Sequence, residues 1–240
     1  MIKIEYLFPE VTNLYGDTFN IKYLKNCLNE VEVYETALTD EPHFVHEDVD
    51  MIYMGSMSER AQELVIEKLL PLKERLNELI YNGKVVLLTG NALEVFENHI
   101  ESDDGSKVHG LGLIDAYAKR NMQKRYNTLF LGELPNEQIK ITGFKSTFSF
   151  SYGDNSNTYA FKSIKGVGIN KDSAFEGFRI NNLFGTYLIG PLLVLNPDFT
   201  KYIMKLLGEN EPSLQYEEAA KKCYELRLKE FENDSTNYLQ

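Results

Sequence analysis

Short apolar runs alternate with longer amphipathic ones over the first hundred residues. Residues 2–8 (IKIEYLF), 31–36 (VEVYET), 51–55 (MIYMG) and 84–89 (KVVLLT) are rich in β-branched and aromatic residues, the composition of strands. Between the first two, TFNIKYLKNCLNE brings Phe19, Tyr23, Leu24, Cys27 and Leu28 to one face, which predicts an amphipathic helix with Cys27 in its packed side. SERAQELVIEKLLPLKERLNELI opens on Ser58, a good N-cap, and predicts helix to about Ile80 with a kink or break at Pro71. Strand–helix–strand alternation at these lengths predicts a parallel sheet covered on both faces, with ligands gathering at the carboxyl ends of its strands.

The pattern changes after residue 110. LGLIDAYAKR, NTLFLGEL, IKITGF, NTYAFKSI and GTYLIG are strand-like runs separated by polar and glycine turns, which predicts an antiparallel or mixed extension of the same sheet. DDGSKVHG, 103–110, has the composition of a loop. No linker divides the chain, so residues 1–210 are expected to form one domain. Residues 211–233 are expected to supply a terminal helix packed on it through Ala219, Cys223, Leu226 and Glu230, and 234–240 a frayed tail.

Composition narrows the function. The 240 residues are 43% hydrophobic, enough for a sizeable core, and contain no apolar run of membrane-spanning length. The start, MIKIEYLFPE, lacks the features of a signal peptide, so a soluble, cytoplasmic protein without membrane insertion is expected. The formal charge of −11 argues against nucleic acid as a partner, and any anionic ligand would need a local exception. The two cysteines, Cys27 and Cys223, are far apart and are read as buried thiols rather than as a disulfide or zinc pair.

Candidate chemistry is sparse. The chain has no phosphate-binding loop, no serine nucleophile elbow and no zinc helix of the H-E-x-x-H type. His43 and His46, set among acidic residues, have the spacing of a solvated turn more than of a metal site, and neither a metal nor a cofactor is expected. Glu94 and Glu97, three apart after the corner, with His99 following, could supply an acid or base, but paired carboxylates at this spacing read first as a solvated helix face. KVVLLTGNALEVFEN, 84–98, has the shape of a strand turning at Gly90 into a helix. Many α/β enzymes hold a nucleophile at such a corner, where the helix N-terminus favours the anion.

Three stretches together resemble class I glutamine amidotransferases of the cobyric acid synthase type, in particular the glutaminase subunit of lipid II isoglutaminyl synthase. NLYGDTFNIKYL matches the opening motif at Tyr15, Gly16, Asp17 and Asn20. MGSMSERAQELV matches a glycine-rich turn at Gly55 and Gln62, with Ser56 in the loop and Glu59 where the family has aspartate. DSAFEGFRINNLFGTYLIGPLLVLNP matches the closing motif at Glu176, Gly177, Gly185, Thr186, Tyr187, Leu188, Gly190, Pro191, Asn196 and Pro197. The resemblance implies a flavodoxin-like, three-layer α/β/α fold with a mostly parallel central sheet and a mixed or antiparallel extension.

The same resemblance implies lost chemistry. Glutamine hydrolysis in that family uses a thiolate nucleophile, a histidine that manages protons, and backbone amides that stabilise the oxyanion. Where the family has Cys-Gly-Gly-Tyr-Gln this chain reads Thr89, Gly90, Asn91, Ala92, Leu93, and the histidine slot is Ile189. Lys145 replaces an acidic residue of the family. No catalytic residue is therefore assigned: Thr89 and Ile189 are degenerate positions, and Gly55, Ser56, Gly90 and Asn91 are former oxyanion and substrate loops. The expectation is a catalytically silent subunit that scaffolds or regulates a Mur ligase-type, ATP-dependent, amide-forming partner. Two alternatives stay open: an active amidotransferase with relocated residues, and a module that binds glutamine or a related small amide without turnover.

Overall fold

A computed structural model describes residues 1–238. In chain order its strands are β1 (Ile2–Leu7), β2 (Val31–Thr36), β3 (Met51–Met54), β4 (Val85–Thr89), β5 (His99–Ser102), β6 (Lys107–His109), β7 (Tyr117–Arg120), β8 (Tyr126–Leu134), β9 (Ile139–Thr147), β10 (Ser149–Tyr152), β11 (Phe161–Lys165), β12 (Phe175–Glu176), β13 (Phe178–Ile180) and β14 (Leu183–Thr186). The helices are α1 (Thr18–Cys27), α2 (Glu59–Leu69), α3 (Lys73–Tyr81), α4 (Ala92–Phe96), α5 (Leu192–Leu195), α6 (Pro197–Leu206) and α7 (Glu217–Glu232).

The central sheet runs β13-β14-β4-β3-β1-β2, parallel throughout except for β13, which pairs antiparallel with β14 at one edge. Side chains of a strand alternate between faces, so a sheet covered on both sides needs an unbroken apolar run. β3 and β4 show it directly. Met51, Tyr53, Val85 and Leu87 enter the core shared with α1 and α6, while Ile52, Met54, Val86 and Leu88 enter the core shared with α2, α3 and α4. The expected α/β architecture with a mostly parallel central sheet is what the structure has, but the expected extension of that sheet is limited to β14 and the antiparallel β13.

Most later strands do not join that sheet. They form two separate four-stranded sheets, β10-β7-β5-β6 and β12-β11-β8-β9. Residues 103–110 are the turn and second arm of the β5–β6 hairpin rather than a plain loop. The long helix breaks where expected: Ser58 Oγ accepts from Ala61 N at 3.3 Å, and Pro71, which has no N–H to continue the ladder, falls in a 3-10 turn between α2 and α3.

Three packing expectations are corrected. On α1 the buried positions are Asn20, Ile21, Leu24 and Cys27, whereas Phe19 is 59% exposed, because the helix also carries the polar Asn20 inward. On α7 the face with Ala219, Cys223, Leu226 and Glu230 is the solvent side. Phe231 is buried instead, and Tyr224 and Arg227 reach Lys140 O and Thr142 Oγ1 at 2.7 and 3.1 Å, so Cys223 is an exposed thiol. Residues 234–238 are tied down rather than frayed: Asp234 pairs with Lys165 at 2.9 Å and Leu129 N donates to Tyr238 O at 3.0 Å. Residues 239–240 of the expected tail lie outside the described residues. Among the described residues no helix is long and apolar enough to cross a membrane.

Candidate functional site

At the carboxyl end of the central sheet the loops after β1, β3, β4 and β14 surround a cleft of about 100 Å³. Tyr15, Ser56, Gly90, Asn91, Tyr187 and Ile189 line it, so the three motif stretches do converge. The other wall comes from Arg120, Arg125 and the 146–149 turn. Asn91 binds the turn after β3 reciprocally: its Oδ1 accepts from Met57 N at 3.0 Å and its Nδ2 donates to Met57 O at 2.8 Å. Gly90 N donates to Leu188 O at 3.3 Å and Ile189 N to Phe144 O at 2.9 Å, which joins the closing segment to the corner.

The apex of the corner is Gly90, which corrects the expectation that Thr89 stands there. Thr89 is fully buried and is not part of the cleft wall, whereas Gly90 turns the chain with φ +63°. A Cβ on Gly90 would overlap the Ser56 hydroxyl and come 3.0 Å from Ile189 Cγ2. The side chain of Ser56 thus fills the space that a side chain at the apex would occupy.

Thr89 belongs to a hydrogen-bonded relay beneath the cleft. Asn20 Nδ2 donates to Tyr53 OH at 2.7 Å, Tyr53 OH donates to Thr89 Oγ1 at 3.0 Å, and Thr89 Oγ1 donates to Asp17 Oδ1 at 3.1 Å. Asn20 Oδ1 accepts from Leu193 N at 2.8 Å, and Asp17 Oδ2 accepts from Tyr15 N at 3.0 Å. Burial raises the Asp17 carboxyl above its ordinary value, opposed by these donors. The opening motif therefore acts here as a polar tie among three strand ends. Gly55 is held close to it: a Cβ there would lie 2.5 Å from Asp17 Cβ. Gly16 lies on the same loop at φ +75°.

Of the other motif residues Glu59 also lines the cleft, and the rest sit around it. Glu176 is buried and pairs with the equally buried Lys145, whose Nζ also donates to Val167 O and Gly168 O at 2.7 Å. Thr186 Oγ1 and Tyr187 N donate to Glu176 Oε1 at 2.8 Å. Burial holds the Lys145 ammonium below its ordinary value, and Glu176 opposes this only in part. Gly177 (φ +66°) packs on β14, and Gly190 (φ +81°) leads through Pro191 into α5.

Glu94 and Glu97 are buried, not solvated, because β10 closes over α4. Glu94 lines the cleft; it accepts from Ser149 Oγ, from Tyr187 OH at 3.0 Å and from Gln62 Nε2 at 3.0 Å. Gln62 also donates to Asn91 O at 2.7 Å and accepts from Arg120. Glu97 accepts from Ser151, leaving Oε2 without a partner. Burial raises both carboxyls, Glu97 the more strongly. Arg120, Arg125 and Ser149 were not singled out from the sequence, and Glu94 reads there as a solvated face in preference to an acid or base. For Glu94 a signal existed, since it stands four residues after the corner glycine and so on the same side of the short helix.

None of the four histidines lines the cleft, nor does Cys27, whose Sγ accepts from Gln215 N at 3.3 Å. His43 stacks on Tyr34, His46 pairs with Glu41 at 2.7 Å, and His99 stacks on Tyr117. No cluster that could hold a metal occurs among the described residues. The cleft offers hydroxyls, two guanidinium groups, the buried Glu94 carboxyl and the half-buried Glu59 carboxyl, a set suited to holding a small polar ligand. It lacks the thiol and imidazole of thiolate chemistry.

A parallel sheet with its cleft at the carboxyl edge and a strand-to-helix corner at the cleft's apex is the plan of an open α/β fold that binds its ligand at the strand ends. Solved structures agree at the level of fold. A chain of the PurLQS structure from Thermotoga maritima superposes with a TM-score of 0.60 at 13% identity, covering 88% of this chain and 99% of that one. A structure described as a glutamine amidotransferase gives 0.56 at 12%, covering 85% and 98%. Residues 3–196 match the CobB/CobQ-like glutamine amidotransferase domain, and the chain belongs to that family. Among its relatives is the glutamine-hydrolysing lipid II isoglutaminyl synthase subunit GatD of Staphylococcus aureus, 26% identical over 88% of this chain and 86% of the relative. The subunit of the same description from Streptococcus pneumoniae is 24% identical over 90% and 86%.

Proposed function

We propose that this chain is a glutamine amidotransferase-like subunit that has lost thiol-based glutamine hydrolysis and serves a Mur ligase-type, ATP-dependent, amide-forming partner as a scaffold or regulator. One observation carries the reading: at the apex of the cleft, opposite Ile189, Gly90 has no side chain and the Ser56 hydroxyl fills the space. A nucleophile there would need both a reactive atom and a base, and this pair of positions supplies neither. The intact relay of Asn20, Tyr53, Thr89 and Asp17 supports a retained scaffold. The relatives' description as synthase subunits supports a protein partner.

The test is ammonia release from glutamine by the purified chain, alone and with whatever ligase co-purifies from its native cells. No release is expected. Release abolished by Glu94→Gln or Ser149→Ala would instead assign relocated chemistry to the cleft, and native purification without any ligase-like protein would refute the partner. The position of the lost nucleophile is tested by rebuilding it. Ser56→Gly, Gly90→Cys and Ile189→His together are expected to restore hydrolysis; recovery through Thr89→Cys with Ile189→His would return the assignment to Thr89.

A second reading, a module that binds glutamine or a related amide without turnover, is favoured by Arg120 and Arg125 in the cleft wall. Calorimetry with glutamine separates it from a scaffold that binds no small ligand.

A further inference from the structure

The chain is acidic overall, yet residues 117–126 (YAKRNMQKRY) hold Lys119, Arg120, Lys124 and Arg125 with no carboxylate among them. This run leads from β7 into β8 along the edge of the cleft, and Lys171 approaches it from the turn before β12. Lys119 and Arg120 have carboxylate neighbours, Glu101 at 3.9 Å and Glu63 at 3.8 Å. Lys124, Arg125 and Lys171 have none among the described residues, and all three are exposed.

These cations are gathered around one hollow. Lys171 Nζ lies 4.3 Å and Lys124 Nζ 5.3 Å from the centre of the same Tyr126 ring, which itself packs on Phe150 at 4.6 Å. Arg125 stacks on Phe148 at 4.8 Å. Lys124, Arg125, Tyr126, Phe150, Val167 and Lys171 line a cavity of about 400 Å³, within the range of roughly 300–1,000 Å³ typical of small-molecule sites. No Asp or Glu lines it; the nearby Asp172 faces a different depression with Asp154.

Lys124 and Lys171 line the same hollow with no carboxylate to balance them, and the ring's quadrupole offsets their charge only in part. An anion bridging them would gain charge-assisted hydrogen bonds from both. The half-buried edge of Tyr126, with Phe150 and Val167, supplies an apolar floor that inorganic phosphate would leave unused. A flat acidic protein surface would likewise fail to fill the hollow. We propose that this basic aromatic hollow binds a phosphorylated small molecule with an apolar or planar body, of nucleoside diphosphate size. Its phosphates lie between Lys124, Arg125 and Lys171 and its body lies against Tyr126 and Val167. The site stands independently of what the cleft does, but Arg125 lines both, so an occupant of the hollow touches the cleft's rim.

The test is titration calorimetry on the full chain with ADP, UDP, inorganic pyrophosphate and a glutamate decapeptide. A nucleoside diphosphate is expected to bind one to one, more tightly than pyrophosphate and less tightly as salt rises. The double change Lys124→Ala with Lys171→Ala, both on exposed side chains, is expected to weaken it by about tenfold or more. Tyr126→Leu is expected to bring nucleotide and pyrophosphate to the same affinity. Absence of saturable nucleotide binding, or binding untouched by the lysine pair, overturns the site. Equal affinity of the unmodified chain for pyrophosphate overturns the apolar floor, and tighter binding of the decapeptide overturns the small-molecule occupant in favour of an acidic protein.

Discussion

Thr89→Val separates a structural threonine from a catalytic one. Valine has nearly the same shape, so the change opens no cavity and removes only the hydroxyl. Thr89 Oγ1 donates to Asp17 Oδ1 at 3.1 Å and accepts from Tyr53 OH at 3.0 Å, with all three residues fully buried. After the change the Asp17 carboxylate loses the Thr89 donor while keeping backbone donors and the long contact from Ser56 Oγ at 3.4 Å, and Tyr53 keeps Asn20 as a donor but loses the acceptor for its own proton. A buried polar group left unpaired costs about 1–3 kcal/mol and a lost net hydrogen bond about 1 kcal/mol, so the Tyr53 hydroxyl and the weakened Asp17 carboxylate together predict a loss of about 2–4 kcal/mol. Thr89→Ser keeps the hydroxyl and loses one methyl group, at about 1 kcal/mol. Urea unfolding of the three proteins, followed by circular dichroism, reads the difference as a shift in midpoint at constant slope. Thr89→Val no less stable than Thr89→Ser would refute the relay. A catalytic threonine would show the opposite pattern, with activity lost at unchanged stability.

Other expectations concern the buried charges. Lys145→Met strands the Glu176 carboxylate and is expected to cost about 3–5 kcal/mol in urea unfolding, with at least half regained on adding Glu176→Gln; strictly additive losses would contradict a coupled pair. Glu97→Gln is expected to change the pH dependence of stability. Burial raises the Glu97 carboxyl above its ordinary 4.5, so its stabilising contribution is complete below about pH 4.5 and is lost as pH rises through the folded value. The glutamine variant should therefore gain on the unmodified chain between pH 5 and pH 8, and a difference constant across that window would speak against a protonated Glu97.

The parallel half of the fold was legible because its strands are buried on both faces and read as unbroken apolar runs, as in MIYM and VVLLT. The order of the later strands was not legible, because nothing local decides whether an amphipathic strand joins the central sheet or a separate one. Glu94 and Glu97 show the same limit. Their spacing is that of a solvated face, and only the distant Ser149, Ser151 and Tyr187 reveal that the face is covered. The site was readable as three motifs and one anomalous corner, but a single residue's register decided which position faces the cleft. That register depends on the left-handed turn at Gly90, which the residue type permits and the letters around it do not specify.

The contact between Gly90 and Ser56 has a consequence for the history of such a chain. Any single substitution that puts a side chain on the apex meets the serine hydroxyl and strains a backbone at φ +63°. Trimming Ser56 first opens a gap that nothing occupies. On the proposed reading of a lost nucleophile, each route back to a side chain at the apex passes through a worse-packed intermediate, and the pair would work as a ratchet once both changes were in place.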